Sequence, residues 1–183
     1  MILIHVIYTA AMKPLIFILL IQLYASLASA SDTQEDYQTD DDELNLPYVV
    51  IQYATDFSEL AEVARDENKI IMLEVSASYC GYCDLLEEEF IKPMLRNDYY
   101  STVALIRKID LDSYQTITDF AGNKTTPDVF ARGLNVKLTP TILFFDGNGN
   151  EVSQRILGIN SLDLYGGYIE DGLNNGLLKI KSQ

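Results

Sequence analysis

Histidine is almost absent: His5 is the only one among 183 residues, and it lies in the first thirty. Cysteine is scarce too, with Cys80 and Cys83 alone. A structural zinc site needs four ligands, usually Cys or His. Past residue 30 a metal site would need carboxylates or a second chain, so no metal and no cofactor are expected. Basic residues are outnumbered, 13 Lys and Arg against 27 Asp and Glu, for a net charge of −14. Such a surface repels phosphate backbones and anionic membranes, so nucleic acid is not an expected partner.

Charge is missing from the first thirty residues except for Lys13 and His5. From Met12 a short basic start leads into an apolar run from Leu15 to Leu23 and a small-residue ending, Ala28-Ser29-Ala30. This is the layout of a secretory signal peptide over residues 1–30, with cleavage after Ala30. Met12 is a plausible true start, because residues 1–11 carry no Lys or Arg. The alternative is an uncleaved membrane anchor, since the stretch is long enough to span. No cysteine follows the apolar run, so there is no lipoprotein signal. Residues 31–47 hold seven acids and no base. That composition buries too little to offset its ordering entropy and reads as a disordered acidic linker, or alternatively as an interaction arm. The remainder, residues 48–183, is long enough for one ordinary domain.

Within it, residues 48–53 form a β-branched and aromatic run, a predicted strand. Asp56 with Glu59 has capping-box spacing and opens a predicted helix over 56–67. Residues 69–75 are apolar without alternation, as a central strand covered on both faces requires. After the cysteine pair, Leu85, Leu86, Phe90 and Met94 suit one face of a helix and Glu87, Glu88 and Glu89 a solvated one. Pro93 should end or kink it. Residues 101–112 read as a strand and 113–126 as a hairpin or loop insertion. Pro127 starts a short helix that Gly133 stops. Residues 141–145 and 151–157 form a hairpin around a Gly-rich turn. A last helix follows Ser161 over 162–179, weakened by Gly166 and Gly167. Alternating elements of this kind imply an α/β fold with a central sheet and helices on both faces.

Two cysteines with two residues between them can be a staple or a redox pair. A disulfide closing so short a loop constrains the unfolded chain little, and a domain of this size has no need of one. The redox reading explains the spacing better. One sulfur at a helix N-terminus is exposed and stabilised as thiolate, and the other lies inside to resolve a mixed disulfide. Cys80 is then the attacking thiol and Cys83 the resolving one. The strand before and helix after strengthen this. Glu74 interrupts an apolar strand six residues before Cys80. If buried, its pKa is raised and it can relay a proton; if at a strand end, it is a surface glutamate. Thr139-Pro140 precedes the apolar strand 141–145, where the X-Pro bond is either an ordinary trans bond or a cis bond exposing the preceding backbone.

These residues together resemble the thioredoxin superfamily along nearly all of residues 48–180. The resemblance implies a thioredoxin fold: a central mixed sheet flanked by helices, with a short insertion before the cis-Pro strand. It implies that Glu74 helps deprotonate Cys83, that Lys108 tunes Glu74, that Pro140 is cis and that Thr139 binds substrate backbone. Residues 119–158 are most similar to periplasmic thioredoxins of the SoxW-like group. There are departures. Tyr79 stands where most thioredoxins carry Trp, which this chain lacks altogether, and Gly81-Tyr82 replaces Gly-Pro. Gly81-Tyr82 with Thr139 is similar to bacterial disulfide isomerases of the DsbC kind, although residues 31–47 are too short and polar to supply a dimerisation domain. Tyr79, Gly81, Tyr82, Thr139 and Pro140 are the expected substrate-contacting set.

The expected function is an exported, monomeric thiol:disulfide oxidoreductase of the periplasm. It would act mainly as a reductant on disulfide-containing proteins and be re-reduced by a membrane electron donor. Asp84 and Glu87 oppose thiolate formation and so disfavour a strongly oxidising enzyme. The alternatives are an isomerase or oxidase, and a binding module with an inert disulfide.

Overall fold

The computed structural model describes residues 46–182. The expected signal peptide, and the acidic linker up to residue 45, lie outside the described residues. Among those described, no helix is long and apolar enough to cross a membrane.

The first helix, α1 (Phe57–Glu67), starts where Asp56 accepts a hydrogen bond from the Glu59 N–H at 3.0 Å. It stops at Asn68, which takes a left-handed conformation and returns its N–H to the last turn. Strand β1 (Ile70–Ser76) is buried at every position. It sits between β2 (Ala104–Asp110), which is parallel to it, and β5 (Thr141–Phe145), which is antiparallel; β6 (Ile156–Leu157) closes the edge in the order β2-β1-β5-β6. Two-residue periodicity divides its side chains. Ile70 and Met72 join Ile106, Ile142 and Phe144 under one helical layer; Ile71, Leu73 and Val75 join Leu143 and Phe145 with Phe57 and Phe130 on the other face. The expected mixed sheet covered by helices on both faces is the observed architecture.

After Cys80 come α2 (Gly81–Leu86), a π-helical turn (Glu87–Ile91) and α3 (Lys92–Leu95). Pro93 has no N–H to donate. The wide turn just before it, where the Lys92 N–H reaches back five residues to the Glu87 carbonyl, carries the helix past the proline. The expected hairpin insertion is β3 (Ile117–Thr118) against β4 (Lys124–Thr125), and α5 (Pro127–Gly133) follows it.

Three local expectations need correction. Residues 48–53 are extended, but their one ladder contact is a bridge from Tyr53 to Lys108. Ile51 is buried while Tyr48 and Val50 stay exposed, so the run clips onto the outer edge of β2 at a single point. The strand expected from residue 101 begins at Ala104, because Asn97 caps α4 (Asp98–Val103), accepting from the Tyr99 N–H. Helix α5 does end at Gly133, and the left-handed residue that follows it is Asn135. Residues 151–157 pair only at Glu151 and in β6, with Arg155 folded back onto Glu151 between them.

The last helix, α6 (Leu162–Lys181), crosses the sheet with Gly172 and Gly176 inward. A Cβ at Gly172 would stand 2.3 Å from the Phe144 ring, and one at Gly176 3.1 Å from Ile70. Those two glycines bring α6 down onto β5 and β1, and Gly166 and Gly167 do not interrupt it. Ser161 occupies the cap position without a side-chain capping bond.

Candidate active site

The end of β1 delivers the chain into the loop 77–80. Asp112, just beyond β2, clamps this loop: the Ser78 N–H donates to Asp112 Oδ1 at 2.9 Å and the Ser78 hydroxyl donates to Oδ2. These bonds hold the Asp112 carboxyl below its usual pKa. Cys80 is the cap of α2. The Cys83 N–H donates to the Cys80 carbonyl at 2.9 Å and to Cys80 Sγ at 3.2 Å. The two cysteines form a disulfide with Cα atoms 5.2 Å apart. Cys80 is half-buried and Cys83 fully buried. Around them Tyr79 and Tyr82 are exposed, and Gly81 faces open space. One sulfur is therefore reachable from outside and the other only from within.

Thr141, the first residue of β5, pairs with Val75 near the end of β1. Thr139-Pro140 therefore lies at the end of the sheet from which the cysteine loop departs. The Thr139–Pro140 bond is cis. Pro140 accepts from the Gly158 N–H and Leu138 from the Thr141 hydroxyl, while the Thr139 backbone has no hydrogen-bond partner among the described residues. Leu138 is exposed.

Beneath the pair is a buried charge cluster. Glu74 is 1% exposed, and neither carboxyl oxygen has a hydrogen-bond partner. It lies opposite Lys108 across β1 and β2 and opposite Ile142 across β1 and β5. Burial, then the charge of Glu87, push its pKa up to about 8; Lys108 pulls the other way and is outweighed. The Lys108 ammonium is 2.6 Å from Glu87 Oε1 and 3.8 Å from Asp110 Oδ1. Burial draws the Lys108 pKa down, but the hydrogen bond and charge of Glu87, followed by the charge of Asp110, leave it raised. Tyr53 completes the cluster. Its hydroxyl donates to Asp110 Oδ2 at 2.7 Å, and its ring centroid lies 5.0 Å from the Lys108 ammonium.

Every cysteine, carboxyl and lysine expected at the site thus lies in one region, with two changes. Glu87 was expected on a solvated face with Glu88 and Glu89. Instead it turns inward to Lys108, because it stands four residues after the buried Cys83 and shares its side of the helix. Glu88 stays outside, paired with Lys92. Lys108 sits across from Glu74, but its ammonium bonds to Glu87. Asp110 and Tyr53 are site residues that pattern reading misses, and so is the pairing of Glu87 with Lys108. The i+4 step from Cys83 and the i+2 step from Lys108 were the available signals.

The site is open surface over buried acids. A cavity of about 460 Å³ between β6 and α6 contains none of these residues.

Residues 57–172 match the Thioredoxin-like domain family. Thioredoxin-1 of Drosophila yakuba is 36% identical over 69 residues, covering 38% of this chain and 60% of that protein. Thiol:disulfide interchange protein DsbD of Escherichia coli O6:K15:H31 is 25% identical over 158 residues, covering 83% of this chain and 26% of DsbD. The chain thus spans less than two thirds of the length of either relative. Among solved structures, a thioredoxin of Malassezia sympodialis superposes with a TM-score of 0.47 at 18% identity, covering 69% of this chain and 94% of that one. The matched span contains β1, both cysteines, Thr139-Pro140 and most of α6, and on that match this chain belongs to the thioredoxin-like domain family.

Proposed function

We propose that the chain is a thiol:disulfide oxidoreductase that reduces disulfides in protein substrates. The carrying observation is the Cys80–Cys83 disulfide itself, with one residue part-exposed at a helix start and the other buried. In the reduced protein the Cys80 sulfur is held where the first-turn N–H groups favour a thiolate. That thiolate attacks one sulfur of a substrate disulfide. A mixed disulfide forms and the substrate's other sulfur leaves as thiolate, taking a proton from water. Cys83 gives its proton to Glu74 and attacks Cys80 Sγ. The Cys80–Cys83 bond closes, and the substrate's second sulfur leaves as a thiolate that takes a proton from water while Glu74 returns its own to solvent. Two electrons have passed from the protein to the substrate.

The open surface suits a macromolecular substrate. An extended segment can lie along Leu138 and Thr139, with the unpartnered Thr139 backbone groups available to it. Tyr79, Gly81 and Tyr82 then flank the reacting bond. Glu74, Glu87, Asp84 and Asp110 outnumber Lys108 near the cysteines, which destabilises thiolates and favours a reductant over a strong oxidant. Export through residues 1–30 places this chemistry in the periplasm, where a SoxW-like reductant acting as a monomer needs a membrane electron donor. The resemblance to DsbD, a thiol:disulfide interchange protein by its name, supports thiol–disulfide exchange with a partner protein.

Insulin reduction in the presence of dithiothreitol tests the activity. The expected result is precipitation of the insulin B chain far faster with the protein than with dithiothreitol alone, and no acceleration with Cys80→Ser. An inert wild-type protein at pH 7–8, or an active Cys80→Ser variant, overturns the proposal.

A further inference from the structure

Tyr165 takes no part in the chemistry above, yet it is the largest fully buried side chain among the described residues and its hydroxyl has no hydrogen-bond partner. A phenylalanine would fill the same apolar space without stranding a polar group. Buried hydroxyls without partners are rare because removing them from water is unfavourable.

The register of α6 on the sheet shows what lies beside it. Gly176 packs on Ile70, at the start of β1, and Gly172 packs on Phe144, the cross-strand partner of Met72. Toward its N-terminus α6 therefore climbs along β1. From Gly176 back to Tyr165 is about 16 Å of helix, and from Ile70 to Glu74 is about 13 Å of strand. Tyr165 thus stands near the level of Glu74. Both are on the same face: Tyr165 packs in the apolar cluster that holds Met72, Leu86 and Ile142, and Ile142 is the β5 partner of Glu74. The Phe90 ring, 5.1 Å from that of Tyr165, closes the other side. A stranded hydroxyl and a stranded carboxyl share one buried region. Their chemistry is complementary, since a phenol donates to a carboxylate and accepts from a carboxylic acid.

We propose that the Tyr165 hydroxyl and the Glu74 carboxyl form a buried pair linked through one water, which makes Tyr165 the positioning residue for Glu74. The catalytic half of this statement rests on Glu74 being the proton acceptor of Cys83. Other groups also face Glu74. From α2 and the π-helical turn these are Cys83, Asp84 and Glu87. From β2 they are Lys108 and Asp110, with Tyr53 behind them. From β5 there is only apolar Ile142, and from α6 there is Tyr165. Burial first, and then the charge of Glu74, push the Tyr165 hydroxyl above its ordinary pKa, in keeping with this proximity. Through the bridging water the hydroxyl favours the ionised carboxyl over the neutral one, so removing it disfavours ionisation.

Carboxyl and tyrosine Cζ ¹³C resonances of the reduced full chain, followed between pH 5 and 10, test the pair. In the unaltered protein the Tyr165 Cζ resonance should step at the midpoint of Glu74, and Glu74→Gln should abolish that step. In Tyr165→Phe the Glu74 midpoint should rise by roughly half to one pH unit. A Tyr165 resonance that stays flat through the Glu74 titration overturns the pair, and so does an unmoved midpoint in folded Tyr165→Phe. The first readout needs no variant of Tyr165, so it decides even if Tyr165→Phe does not fold. It is also independent of turnover: wild-type activity in Glu74→Gln would overturn the proton-acceptor reading and leave the pair standing.

Discussion

Glu74→Gln should make the protein more stable at alkaline pH and slower as an oxidoreductase. The wild-type carboxyl has its pKa raised from 4.5 to about 8, by burial first and by Glu87 second. A raised carboxyl pKa means that the folded state binds the proton more tightly than the unfolded state. The stabilising contribution is complete below pH 4.5 and is lost as pH rises toward 8. The loss across that window is on the order of 4 kcal/mol. Glutamine has the same shape and no charge to bury. Urea denaturation should therefore give wild-type and variant similar stabilities near pH 5 and a clear advantage for the variant at pH 9. Catalysis should move the opposite way. The ionised fraction of Glu74 grows through pH 8, so resolution by Cys83 should accelerate over that range in wild-type protein. In Glu74→Gln this limb should disappear and the rate at pH 8 fall by roughly 10²-fold, the lower end for loss of a general base. A variant with the wild-type pH dependence of both stability and resolution would remove Glu74 from the mechanism.

Lys108→Met should be the most destabilising single change in the charge cluster. Lys108 and Glu87 are 13% and 16% exposed, so solvent screens them weakly. Removing one partner of such a pair strands the other charge, at a cost of about 3 kcal/mol. Three carboxyls, Glu74, Glu87 and Asp110, would then share one region without their ammonium. Glu74 should then take up its proton at higher pH than before, because Lys108 is the cation that pulls its pKa down, so the folded state gains a proton relative to the unfolded one. The variant should accordingly recover stability as pH falls from 8 to 6. Adding Glu87→Gln should restore part of the loss at pH 8, because the charge most directly stranded is gone. Thermal denaturation of the single and double variants at both pH values measures this. Equal losses in the two variants at pH 8 would show that Glu87 and Lys108 act independently.

The parts of the site written in sequence were those that broke a local pattern. Glu74 stood out because it interrupts an apolar strand, and the cysteine pair because two sulfurs follow that strand and open a helix. Glu87 broke no pattern. It belongs to a run of three glutamates, and its step of four from Cys83 and the facing lysine, 21 positions away, distinguish it from Glu88. Tyr165 was equally silent, since an aromatic residue on the inner face of a helix reads as core. The alternation of strands and helices revealed the layered fold, but element ends depended on long-range partners. Residues 48–53 have strand composition, yet β propensity says nothing of how much free edge β2 offers. Residues 98–103 carry strand-like side chains, and the Asn97 cap overrides them locally.

The most direct measurement concerns the division of labour between the sulfurs. Reduced Cys83→Ser and Cys80→Ser proteins are each mixed with an oxidised disulfide peptide at pH 7.5, and the products are read by intact mass after acid quenching. Cys83→Ser should accumulate a stable one-to-one mixed disulfide on Cys80, released by dithiothreitol. Cys80→Ser should accumulate almost none, because Cys83 is buried and has no route to the peptide. Equal adducts on both variants, or an adduct that forms only through Cys83, would contradict the assignment of Cys80 as the attacking thiol.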